Sequence, residues 1–71
     1  MNYHARMREL QPKHEPALIE AFMRLQFSTL DHLSAYEFEN EARIAALCIE
    51  HGGIEQARRL AVSMGTIREA A

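Results

Sequence analysis

Cys48 and His51 stand three apart in "CIEH", the spacing at which two metal ligands, or a thiol nucleophile and its base, share one side of a helix. Neither chemistry is completed. A structural zinc site needs four soft or imidazole ligands, and no CxxC or HxxxH pair supplies the remainder. A cysteine nucleophile needs a group that orients its histidine and a loop that holds an oxyanion, and the chain offers neither pattern. "HEPAL" at 14–18 approaches the HExxH of zinc proteases, but Leu18 occupies the fifth position and Pro16 interrupts the required helix. Glu37 and Glu41 are one turn apart, as acid/base pairs sometimes are, with no second element that identifies a pocket. The expectation is a protein that is not an enzyme and has no cofactor and no metal. Cys48 then reads as a small buried hydrophobe, and His51 as a helix-end residue that complements the dipole.

Seventy-one residues allow one domain, 1–71, with a small core. A composition of 48% hydrophobic and 25% charged residues, with three glycines and two prolines, describes an ordered chain and excludes a disordered tail. A single cysteine cannot form an internal disulfide, the apolar runs are too short to cross a bilayer, and the N-terminus lacks the apolar region of a signal peptide. A cytoplasmic protein with no membrane partner is expected. Because so small a core leaves little net stability, a homodimer is expected as well. The net charge of −2 is unevenly placed: residues 52–71 hold Arg58, Arg59 and Arg68 against Glu55 and Glu69. Any anionic partner belongs at that end.

Helical signals run through the chain. Tyr3, Met7 and Leu10 suit a short helix or a flexible arm within residues 1–14. Pro12 and Pro16 turn the chain, and Pro16 fits the first position of a helix near 17–27, with Leu18, Ala21, Phe22 and Leu25 as its stripe and Ile19, Met23 and Phe27 widening it. "FSTLDHLS" is a connector with room for one turn through Leu30 and Leu33. Ser34 and Glu37 form a capping box, and Leu33 and Phe38 occupy the staple positions, at the head of a helix near 35–51. Its apolar side is expected to be Phe38, Ile44, Ala45, Leu47, Cys48 and His51. Gly52 and Gly53 end it, and a third main helix follows near 54–61. The fold class is all-α, a small three- to four-helix bundle with a candidate C-terminal helix-turn-helix.

"IEQARRLAVSMGTIREAA" carries that candidate. Ala57 is the small residue where two steeply crossed helices approach, Leu60 and Val62 seal the turn, and Ile67 and Ala70 return from the second helix. Residues 44–71 resemble the helix-turn-helix domains of bacterial and phage transcriptional regulators. The resemblance implies that Val62 and Ser63 are the turn pair, with Ala61 where the family usually has glycine, and that Thr66 and Ile67 open the reading helix. It implies duplex DNA as partner, with Ser63, Thr66 and Arg68 toward the bases and Arg58 and Arg59 toward the phosphates. A second parse stays open, in which the helix runs on to Met64 and stops at Gly65.

Two functions are therefore expected: a small DNA-binding transcriptional regulator using a short helix-turn-helix, or a small helical regulator or inhibitor that binds a partner protein and does not touch DNA. For the second, Phe22, Met23, Phe27 and Leu30 are the candidate partner-binding residues, being more apolar surface than one helix of a small bundle readily hides.

Overall fold

Pro16 starts a helix because its missing N–H is not needed there, and Glu15 before it is held extended at φ −69°, ψ 125°. In the computed structural model, which describes residues 3–65, α1 spans Tyr3–Leu10, α2 Pro16–Gln26, α3 Ala35–Cys48 and α4 Ile54–Met64. The fold is a small all-α bundle, with no strand among the described residues.

Residues 3–10 are a helix docked on the bundle. Met7 is fully buried, and the Tyr3 ring stacks on that of Phe38 with centroids 5.7 Å apart. The Tyr3 hydroxyl donates to Asp31, and the Arg6 guanidinium lies 5.9 Å from the centre of the Phe38 ring. Beneath α1, Glu20 receives His4 Nε2 at 2.7 Å and Arg24 Nε at 2.7 Å. The approach of α1 makes Glu20 the hub of a two-helix ion-pair network.

The connector between α2 and α3 contains the single turn expected, with Leu33 N–H donating to the Leu30 carbonyl at 3.3 Å. Ser34 and Glu37 complete both halves of the capping box, each at 3.1 Å. Leu33 packs against the core while Phe38 is buried within it.

The face that α3 turns inward differs from the expected one. Phe38, Ala42, Ala45, Ala46 and Ile49 are buried, whereas Ile44, Leu47, Cys48 and His51 are exposed. Both sets follow helical spacing, so hydrophobicity alone favours the larger side chains. The alanines face inward because they let neighbouring backbones come close to α3. Ala57 and Ala61 do the same on α4, which packs mainly against α2.

The helix near 35–51 is regular only to Cys48. At the kinked junction Ile49–Gly53, His51 (φ −90°, ψ 34°) and Gly52 (φ 95°, ψ 8°) leave helical geometry. The third main helix extends past residue 61 to Met64, where Gly65 at φ 77° closes it by donating to the Ala61 and Val62 carbonyls. Val62 and Ser63 are thus helical, as in the second parse. The expected terminal helix, with Thr66, Ile67, Arg68 and Ala70, lies outside the described residues.

Candidate functional site

α2 and α3 lie side by side, and their outer edges leave a groove of about 340 Å³. Phe22 and Leu25 line it from α2, and Glu41, Ile44, Ala45 and Cys48 from α3. Its lips are unusually apolar for a surface: Leu25 is 54% exposed and Ile44 44%, and Leu47, one turn along α3, is 47% exposed. Phe22 forms the floor and reaches toward the junction, where a Cβ at Gly53 would stand 3.2 Å from its ring. The cysteine expected to be buried is at the rim and exposed.

Of the four residues expected to bind a partner, Met23 and Leu30 are 2% exposed and belong to the core. Phe22 and Phe27 are half-buried and pack against it. The rotation of α2 that buries Met23 turns Leu25 outward, so of the expected set Phe22 and the buried Met23 line the groove, whereas Phe27 and Leu30 do not. Leu25, Ile44 and Leu47 were assigned to the interior because they continue apolar stripes. The signal that separates them is the presence on one helix of two apolar sets, 38-42-45-49 and 44-47-48-51, of which a small bundle can bury only one.

The residues expected to meet nucleic acid fall on α4. Arg58, Arg59, Val62 and Ser63 line one shallow depression of about 300 Å³. Among the described residues neither arginine has an acidic partner. Thr66 and Arg68 lie outside the described residues.

The titratable groups elsewhere serve the fold. Burial opposes ionisation of Glu20, but hydrogen bonds from His4 and Arg24, with their charges, outweigh it and hold its carboxyl below the usual range. Hydrogen bonds from the Ser34 backbone and then its side chain lower that of Glu37. His14 Nε2 meets Glu50 at 3.0 Å, tying the connector after α1 to the end of α3. Among the described residues no three His, Cys, Asp or Glu side chains gather as a metal site would require, and no helix is long and apolar enough to cross a membrane.

No protein-family model matches the chain, and no curated protein or solved structure matches it.

Proposed function

We propose that this chain is a small, non-catalytic helical regulator that docks another protein in the groove between α2 and α3. The observation that carries this reading is the pair Leu25 and Ile44, two large aliphatic side chains about half exposed on an apolar cleft, with Leu47 exposed one turn along α3. A soluble monomer gains nothing by exposing such a cluster, whereas a protein interface is built around one, with polar residues at its edge. Glu41 and Gln26 supply that edge. The test is a photo-cross-linking residue, benzoylphenylalanine, placed at Leu47 beside the groove and, as a control on α1, at Arg8. Discrete adducts from position 47 and none from position 8 are the expected result.

Contact with duplex DNA is the second reading. It is favoured by the shared position of Arg58, Arg59 and Ser63 along one edge of α4, where neither arginine forms an ion pair among the described residues. The uninterrupted helix through Ser63 alters how such contact would be made: α4 would lie along the phosphates, not turn at Val62 to present a second helix.

A further inference from the structure

We propose that the occupant of this surface is a second copy of the chain, paired antiparallel along α3 with Ile44 on the two-fold axis. The proposal rests on the protein-docking reading and names its partner.

The register comes from α3 itself. Glu37 and Ile44 are spaced by seven residues on α3, and so are Glu41 and Cys48, and Asn40 and Leu47, with His51 following in the kinked junction. Seven-residue spacing keeps side chains on one seam along a helix that packs against another. Glu37, Ile44, Leu47, Cys48 and His51 are all exposed, so the seam is available over its length.

Charge selects the orientation. The seam is acidic in its first half, at Glu37 and Glu41, and carries His51 at its end. Parallel copies would set Glu37 against Glu37 and Glu41 against Glu41. An antiparallel pair about Ile44 keeps these carboxylates apart, placing each Glu37 toward the far end of α3 of the second copy, and also opposes the helix dipoles favourably. A two-fold interface requires one patch to complement itself, and a protruding Ile44 beside a groove supplies both the knob and the hole.

Size supplies the motive. Of the fourteen buried hydrophobic residues, seven are alanines, so the interior of one copy is assembled largely from small side chains while Leu25, Ile44 and Leu47 stay outside. α3 is about 21 Å long at 1.5 Å per residue. A face of that length and two helices wide covers about 450 Å² per partner, little more than half of the roughly 800 Å² of a standard stable interface. That is roughly a tenth of the 4889 Å² surface, and a weak dimer, with a Kd on the order of 100 μM, is the expected outcome.

Sedimentation equilibrium of the full chain from about 1 to 500 μM tests this. The mass should rise from 8.1 kDa toward twice that value. Ile44→Glu should hold it at the monomer with unchanged helical circular dichroism, since Ile44 lies outside the core. Val62→Glu, an equal change on exposed α4, should leave the dimer intact. On the two-fold axis, Ile44→Cys in a Cys48→Ser background should give a disulfide-linked dimer under mild oxidation. The native Cys48 pair, about 12 Å apart along the helices, should not. A wild-type mass fixed at the monomer, a dimer that survives Ile44→Glu, or no covalent dimer from Ile44→Cys would each overturn the proposal. The cross-linker at Leu47 separates the two failures: adducts to other chains from a monomeric protein retain the docking reading and reject self-pairing, whereas no adduct rejects both.

Discussion

Gly53 lies so close to Cys48 that a Cβ added to it would stand 2.5 Å from the Cys48 carbonyl oxygen. This contact fixes the junction from which α4 runs to pack against α2, and it lies beside Phe22, which lines the groove. The obstructing atom is backbone and cannot swing aside. Gly53→Ala should therefore cost about 1–3 kcal/mol, read as a lower urea midpoint. Gly52→Ala meets nothing within 4 Å and suffers only from φ 95°. It should cost about 1 kcal/mol, less than its neighbour.

Met7 tests whether α1 is part of the folded unit. Its side chain is fully buried in the same cluster as Phe38 and Ile19. Met7→Ala should lower stability by about 2–3 kcal/mol, with one cooperative transition by both circular dichroism and tyrosine fluorescence. A change below about 0.5 kcal/mol would mean that α1 adds nothing to the core.

How far these elements were legible in the sequence depended on whether the signal was local. Pro16, the Ser34–Glu37 capping box and Gly52 each act within a few residues, and they set the ends of α2, α3 and the junction. The inward face of α3 is decided by its neighbours. Ala42, Ala45 and Ala46 outcompete Ile44 and Leu47 for the interior because close helix approach outweighs the greater apolar area of the larger side chains. The groove was missed for the same reason, since its lips are residues that an amphipathic reading sends inward.

Glu20 gives the bundle an acid limit. Its folded carboxyl is held below the usual value of 4.5, so the unfolded chain binds this proton more readily. The stabilisation is complete well above pH 4.5 and declines as pH falls through the folded value, so the urea midpoint should fall over that interval. Glu20→Gln should lower stability at pH 7 and flatten this part of the pH profile. Equal slopes for the two proteins between pH 3 and 6 would remove Glu20 as the source.

The arginines of α4 provide the measurement that decides the second reading. Phosphate contacts release counterions, so log K falls with log salt by about 0.9 per contact. If α4 lies along duplex DNA, Arg58→Ala and Arg59→Ala should each reduce that slope by about one unit and weaken random and genomic duplexes alike. Such uniform loss marks phosphate positioning, whereas loss confined to one sequence marks base reading. Fluorescence anisotropy at low and moderate salt measures both. Folded protein that binds no duplex in the micromolar range at low salt excludes DNA as the partner. The apolar groove then remains, because Phe22, Leu25 and Ile44 carry no charge and docking on them should change little with salt.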